Sequence, residues 1–285
     1  MVLTMKNKKI NELKEKAYQI RQNLIELASK ESIHIGGDLS SCDIMTVLWQ
    51  YKIRYDINNP KYENRDRFVL SKGHASALLN LEQAMLGCYS KEEVYDNYAK
   101  DESMFAMHAC NLKNPYIEVS TGSLGHGLAV ACGIAAGLRL KNNNDSYVYV
   151  LMGDGEQSEG SVWEAAMNAV KYKLGNLVVF IDNNDLEADG FVSDITSLNN
   201  IGDKYKTFGW NVIDIDGNDI EQLVNVVDNL PKADSLVPTV IIAHTVKGYG
   251  ISFMENNVRW HAGKLNEEDK KIALSSIENK RLENE

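Results

Sequence analysis

The chain has 285 residues, of which 44% are hydrophobic and 25% are charged, and its formal net charge is −10. This ordinary composition predicts a globular chain with a sizeable core, organised as one large or two small α/β domains. The negative charge argues against nucleic acid or an anionic membrane as the main partner. The longest run of small and apolar residues, 128–138, is too short to cross a bilayer.

The cysteines and the N-terminus indicate the compartment. Cys42, Cys88, Cys110 and Cys132 are scattered and form no CxxC pair, which favours reduced thiols over a disulfide framework or a zinc site. The charged N-terminus lacks the apolar core of a signal peptide. We therefore expect a cytoplasmic protein.

The first half of the chain is predicted to be mainly helical. Apolar spacing, capping residues and turn signals predict, in chain order, a helix over 10–30, a helix over 41–51 capped by Ser40 or Ser41, a strand over 67–71 and a helix over 75–86. A polar, irregular region is expected through Glu118. A loop and a helix rich in small residues follow, up to Leu140.

From Tyr147 onward, apolar strands alternate with amphipathic helices. The predicted strands are 147–152, 176–182, 210–216 and 239–245, and the predicted helices are 161–173, 198–208 and 219–230. This alternation predicts an α/β fold with a doubly wound, mainly parallel sheet flanked by helices. In such sheets, ligands bind beyond the carboxyl ends of the strands.

Two polar loops are expected to meet at that edge of the sheet. GDG, residues 153–155, follows one predicted strand, and Asn183 and Asn184 follow the next. The carboxylate of Asp154 and the amide oxygen of Asn184 suit magnesium, or calcium or manganese in its place, and the glycines before a helix favour a phosphate. GDG alone is more often a capped turn. Its spacing from the two asparagines, however, favours a binding site that both loops share.

The stretch from GDG to Asn184, GDGEQSEGSVWEAAMNAVKYKLGNLVVFIDNN, resembles the thiamine diphosphate signature of the transketolase family. The similarity extends from about His34 to Ala262 through SKGHAS, STGSLGHGL, FGWNVIDIDGND, PTVIIAHTVKGYGISFMEN and WHAGK. The chain most resembles the N-terminal, diphosphate-binding subunit of a split transketolase. That resemblance implies transfer of a two-carbon ketol unit from a ketose or ketose phosphate to an aldose, in carbohydrate metabolism.

The resemblance also assigns expected roles to individual residues. The implied magnesium ligands are Asp154, Asn184 and the backbone carbonyl of Leu186. The other implied cofactor contacts are His74, Gly122, Leu124, Gly153, Gly155 and His261. The implied catalytic residues are His34 and His108, which would hold the donor sugar, His261 near the reacting carbon, and Glu159 and Glu164, which would relay protons between paired cofactor sites.

Histidine usage supports these assignments independently. Four of the six histidines, His34, His74, His108 and His261, fall in predicted loops. A single loop histidine is usually a surface residue, whereas four beside a candidate diphosphate loop favour proton transfer. His244 lies in a predicted strand and is interpreted as structural. Lys247 and the glycines of VKGYG are interpreted as residues that shape a loop.

The resemblance implies a partner chain. In the family, a glutamate that activates the cofactor belongs to a pyrimidine-binding domain. The sequence shows no second α/β pattern that would form such a domain. We expect a single diphosphate-binding domain over 1–285, with an N-terminal helical segment to about residue 55 and a charged tail from about residue 266. We also expect it to be inactive alone and to form a heterotetramer, two copies of each chain, with a C-terminal transketolase-like subunit.

Several residues depart from the usual family motifs, namely Ile33, Ile35, Asp38, Ala109, His126, Glu187 and Ala188. They surround the expected sugar and cofactor sites, so an unusual ketose fits better than ordinary pentose phosphates. Three alternatives stay open: the α subunit of a 2-oxo acid dehydrogenase, which shares GDG and NN, a deoxyxylulose phosphate synthase, and a non-catalytic paralogue. SKGHAS, STGSLG and the His34 loop favour a transketolase over the dehydrogenase.

Overall fold

The computed structural model describes residues 2–283, and side chains from residue 6 onward. Residue 1 of the expected domain and residues 284–285 of the expected tail lie outside the described residues. The described strands are β1 Arg67–Leu70, β2 Val148–Gly153, β3 Leu177–Asn183, β4 Asn211–Asp216 and β5 Thr239–His244. The described helices are α1 Val2–Lys30, α2 Ile35–Val47, α3 Ser76–Met85, α4 Lys91–Asn97, α5 Gly127–Leu140, α6 Gly160–Lys171, α7 Val192–Ile195, α8 Ile201–Phe208, α9 Ile220–Asp228 and α10 Glu267–Glu283.

The strands form one parallel sheet in the order β1-β2-β3-β5-β4. Successive side chains of a strand point to opposite faces. Tyr149 and Leu151 of β2 accordingly join the apolar cluster beneath α1, α2 and α3, whereas Val148 and Val150 join the cluster beneath α5, α6 and α8. Because helices cover both faces, the central strands are apolar along most of their length. The predicted α/β fold with a doubly wound parallel sheet is confirmed.

The predicted start of the second helix is wrong. Helix α2 begins at Ile35, so Ser40 and Ser41 lie buried inside it rather than at its cap. The Ser41 hydroxyl donates to the carbonyl oxygen of Gly37 at 2.7 Å, which is how serine is accommodated within a helix, and Ser40 Oγ lies 3.1 Å from the same oxygen. Gly36 lies in the first turn of α2, where an added Cβ would come within 2.6 Å of the backbone oxygen of Trp260. Gly36 therefore permits a close approach between α2 and the backbone at Trp260.

Two helices lie in segments where none was predicted. Helix α4 interrupts the region expected to be irregular, and it begins with a capping box between Ser90 and Glu93. That S-x-x-E pattern is a sequence signal for a helix start. Helix α10 replaces most of the expected charged tail, because Ala273 and Ile277 are buried in the core cluster that also contains α1 side chains.

Within residues 2–283, no helix is long and apolar enough to cross a membrane. Four cysteines are free thiols, two of them buried. The cytoplasmic location stays a prediction.

Two glycines of α5 give a test of its packing. Gly127 faces the end of β1, where an added Cβ would lie 2.8 Å from the Cα of Ser71, whereas an added Cβ at Gly133 would meet nothing within 4 Å. We expect Gly127→Ala to lower the free energy of unfolding by about 1–3 kcal/mol through overpacking. Gly133→Ala, the matched control, should raise it by up to ~1 kcal/mol. Urea denaturation measures both, and equal effects would contradict this packing.

Candidate active site

A cavity of about 250 Å³ opens at the carboxyl end of the sheet, where the loops after β1, β2, β3 and β5 meet. The predicted site residues that line it are His34, His74, His108, Gly122, Leu124, Gly153, Asp154, Gly155, Asn184, Leu186 and His261. The parallel sheet thus brings together every predicted cofactor and metal residue. It also brings there three of the five residues predicted to be catalytic.

Glu159 and Glu164 are the two predicted residues that do not line the cavity. Glu159 precedes α6, and Glu164 is exposed on that helix. Beside Glu164, the side chain of Met167 is 50% exposed. A proton link to a second cofactor site would need another molecule at this face, and this role of the two glutamates stays a prediction.

The four cavity histidines form one cluster of imidazole rings. The ring centroid of His34 lies 5.2 Å from that of His74, 5.8 Å from that of His108 and 5.6 Å from that of His261. Burial, then the neighbouring positive charges, lower the pKa of His34 and His261 to about 4 and hold that of His74 well below its usual range. These three imidazoles are therefore neutral at neutral pH, each with one donor and one acceptor nitrogen.

The candidate metal ligands occupy the loops after β2 and β3. Asp154 is buried, and its carboxylate accepts from the backbone N–H groups of Gly155 at 2.8 Å and Asp185 at 2.5 Å. Burial, followed by the charge of Asp182, raises the pKa of Asp154 to about 7. A cation bound here would relieve that cost, and it would find the hard oxygen donors that magnesium prefers.

Asn184, in the loop after β3, is the second side chain among the candidate metal ligands. Its Nδ2 donates to Asp182 Oδ2 at 3.2 Å, which fixes the orientation of the amide, and its Oδ1 accepts from Leu186 N–H at 3.1 Å. In the described part of the chain, no group of three or more His, Cys, Asp and Glu residues could hold a metal. The candidate site therefore combines one carboxylate with amide and backbone oxygens, and these residues fit a magnesium ion that also binds phosphate.

Two cavity lysines were missed as site residues by the sequence reasoning. Lys72 is buried, and its Nζ lies 2.5 Å from Asp182 Oδ2. The Nζ of Lys247 donates to Leu186 O at 2.8 Å and lies 3.0 Å from His261 Nδ1. Burial, then Lys72, lower the pKa of Lys247 to about 8. The interpretation of Lys247 as a loop-shaping residue therefore misses its place in the cavity. Its position just beyond the end of a strand was a sequence signal for a site residue.

The residues that depart from the family motifs differ in how deeply they are buried. Glu187 and Ala188 line the cavity directly. Asp38 is fully buried in α2, and burial raises its pKa to about 8. His126 is exposed at the start of α5. His244 lies outside the cavity at the end of β5, partly exposed and 3.2 Å from Asp214.

Comparison with known proteins places this geometry in a family. The model of the family described as transketolase, thiamine diphosphate binding domain, matches residues 14–277. The chain is 40% identical over 244 residues to an apulose-4-phosphate transketolase subunit from Phocaeicola vulgatus, covering 85% of each chain. It is 35% identical over 268 residues to a 6-deoxy-6-sulfo-D-fructose transketolase subunit from a Clostridium species, covering 94% of this chain and 96% of that one.

The fold agrees with a complete transketolase over part of its length. The crystal structure of the Campylobacter jejuni transketolase superposes with a TM-score of 0.86 and 31% identity, over 93% of this chain and 42% of that one. This chain thus spans most of the related subunits but only about two-fifths of that whole enzyme. The resemblance inferred from the motifs is confirmed, and the chain belongs to the transketolase family of transferases as an N-terminal subunit with the thiamine diphosphate-binding domain.

Proposed function

We propose that this chain is the diphosphate-binding subunit of a split, magnesium-dependent transketolase that transfers a two-carbon ketol unit from a ketose or ketose phosphate to an aldose. The observation that carries this proposal is the convergence of Asp154, Asn184 and the histidine cluster in one cavity. When bound, thiamine diphosphate supplies the electron sink for breaking and forming the carbon–carbon bond. The protein supplies position, charge and proton transfer.

Binding of the diphosphate is divided between the metal ligands and cationic or N–H donors. Asp154, Asn184 and the Leu186 carbonyl would hold magnesium, while Gly155 and the imidazole of His74 line the same cavity. Lys72 and Lys247 also line this cavity and bring two positive charges to it. Their charge favours an anion at this end of the sheet.

Substrate handling is assigned to His34, His108 and His261. A neutral imidazole can donate a hydrogen bond to a sugar carbonyl or accept one from a hydroxyl, and can move a proton between them. The Nδ1 of His34 is buried, and no residue in the described range donates to or accepts from it. A buried ring nitrogen without a partner is costly, so this atom is a candidate to bind the donor sugar.

The partner is proposed to be a C-terminal transketolase-like subunit that carries the pyrimidine-binding domain and the activating glutamate. Relatives of matching length are named as transketolase subunits. We propose a heterotetramer with two copies of each chain, in which the exposed face around Glu164 approaches a second copy. The described residues would then serve as one diphosphate-binding domain, and Glu159 and Glu164 would link paired sites.

The donor is proposed to be an unusual ketose rather than xylulose 5-phosphate. Ala188 and Glu187 line the cavity, and Ala109 follows His108, so the surroundings of the sugar differ from the usual motifs. Two relatives are named for apulose 4-phosphate and a sulfonated fructose. A donor of that specialised kind fits the altered cavity.

Reconstitution tests this function. Purified chain mixed with a C-terminal transketolase-like subunit, thiamine diphosphate and magnesium should transfer ketol units, measured by product formation from a panel of ketoses with an aldose acceptor. Either chain alone should give background rates. In the complex, His34→Ala or His261→Ala should lower kcat/KM by about 10²–10⁴-fold.

Several outcomes would contradict the proposal. Robust turnover by the isolated chain would refute the need for a partner, and unchanged rates in both histidine variants would favour a non-catalytic paralogue. A clear preference for xylulose 5-phosphate would refute the specialised donor. Turnover of 2-oxo acids without ketol transfer would refute the reaction class.

A further inference from the structure

Glu187 places an acidic side chain within the cavity that is proposed to take the diphosphate. It follows Leu186 in the loop after β3. A Cβ added to Gly155 would lie 2.6 Å from Glu187 Cγ, so the stem of this side chain rests on the Gly155 backbone. The Oε1 of Glu187 is buried and has no hydrogen-bond partner among residues 6–283.

The neighbouring cations are already engaged by other groups. Lys72 is paired with Asp182 at 2.5 Å. The Nζ of Lys247 donates to the backbone carbonyls of Leu186 and Glu187 at 2.8 and 2.9 Å, and not to the Glu187 carboxylate. Within the described side chains, the carboxylate of Glu187 is thus a negative charge without a hydrogen-bonded cation, next to Gly155.

We propose that Glu187 weakens the binding of diphosphate by this chain, because its carboxylate lies beside the anion site and repels the incoming phosphate oxygens. The inference rests on the proposed function, since it assumes that a diphosphate enters this cavity. Like charges a few ångströms apart repel strongly where water is partly excluded. A divalent cation offsets part of that repulsion, so retention of the cofactor becomes more dependent on magnesium than it would be with an uncharged residue.

Glu187→Gln isolates the charge, since glutamine has the same shape and preserves the packing against Gly155. Isothermal titration calorimetry of this chain in complex with its C-terminal transketolase-like subunit, using magnesium pyrophosphate, and thiamine diphosphate plus magnesium, measures Kd directly and without turnover. We expect Kd of the variant to be about tenfold lower for both probes at low salt, with a smaller gain at high salt. Half-maximal binding of thiamine diphosphate should also need less magnesium.

Asp189→Asn is the matched control, because it removes the same charge from an exposed side chain of the same loop. Its Kd should stay within about twofold of the wild-type value, since solvent and salt screen an exposed charge. Glu187→Ala is the second variant, and it should bind at least as tightly as the wild type if the carboxylate is the obstacle. Thermal unfolding confirms that each variant is folded.

Equal Kd values for the wild type and Glu187→Gln, or an equal gain in Asp189→Asn, would overturn the inference and leave the proposed function standing. Failure of the wild type and of every folded variant to bind either probe with magnesium would contradict the proposed diphosphate site itself. Tighter binding confined to the two Glu187 variants would support both.

Discussion

Asp154→Asn should abolish magnesium-dependent binding of thiamine diphosphate while leaving the chain folded. The carboxylate is the one acidic group in the candidate ligand set, and losing a direct ligand should cost at least the roughly 100-fold in affinity seen for outer-shell residues. Burial raises the pKa of this carboxyl to about 7, so ionisation costs stability in the empty site. The amide avoids that cost and can still accept one of the two N–H bonds from Gly155 and Asp185.

Calorimetric titration with thiamine diphosphate, with and without magnesium, measures this loss. Asp185→Asn is the matched control: it removes the same charge from the next loop, its side chain is exposed, and asparagine tolerates its φ of 61°. Binding by this control should persist. Unchanged magnesium dependence in Asp154→Asn would show that the cation is held elsewhere.

Asp182→Asn should cause the largest loss of stability at the site. The carboxylate is fully buried near the end of β3, and its Oδ2 accepts from Ser40 Oγ at 2.6 Å, Lys72 Nζ at 2.5 Å and Asn184 Nδ2 at 3.2 Å. Its Oδ1 accepts from Thr245 Oγ1. The amide cannot satisfy all these donors and leaves the Lys72 ammonium buried without a counter-charge. We expect the free energy of unfolding to fall by about 3–5 kcal/mol, measured by urea denaturation.

Two further variants show whether the charge pair is the cause. The double variant Lys72→Met with Asp182→Asn should recover part of the loss, because removing both charges removes the uncompensated ion. Glu63→Gln breaks the exposed Glu63–Lys141 pair at 3.0 Å and should leave the free energy of unfolding unchanged within error. Equal losses in Asp182→Asn and Glu63→Gln would contradict the role of burial.

Asp182 also explains how the site is held in place. It joins α2 through Ser40, the β1 loop through Lys72, and the β3 loop through Asn184. None of these links is apparent from the sequence, because Asp182 reads as the polar end of a strand. The loops after β1 and β3 converge because β1, β2 and β3 are neighbours in the sheet, and α2 packs against β3.

Local sequence pattern was enough to predict the sheet and the placement of GDG and Asn184. Alternating strands and helices are a local signal, and parallel strands end at one edge, which puts Asp154 and Asn184 on the same edge; the strand order then makes their strands neighbours. The same local reasoning failed for Ser40, which hydrogen bonds in the middle of α2 instead of capping it. It also missed α4, although the signal between Ser90 and Glu93 was present.

The charges that surround the cofactor site depend on tertiary contacts. Lys72 contacts Asp182 across 110 positions of the sequence, and Lys247 contacts Leu186 across 61. Local sequence periodicity does not predict contacts over such separations. Burial then sets the chemistry, because in open loops His34, His74 and His261 would titrate near their usual pKa. The sequence motifs thus identify the candidate cofactor residues, while packing fixes their protonation, their partners and the position of the Glu187 carboxylate among them.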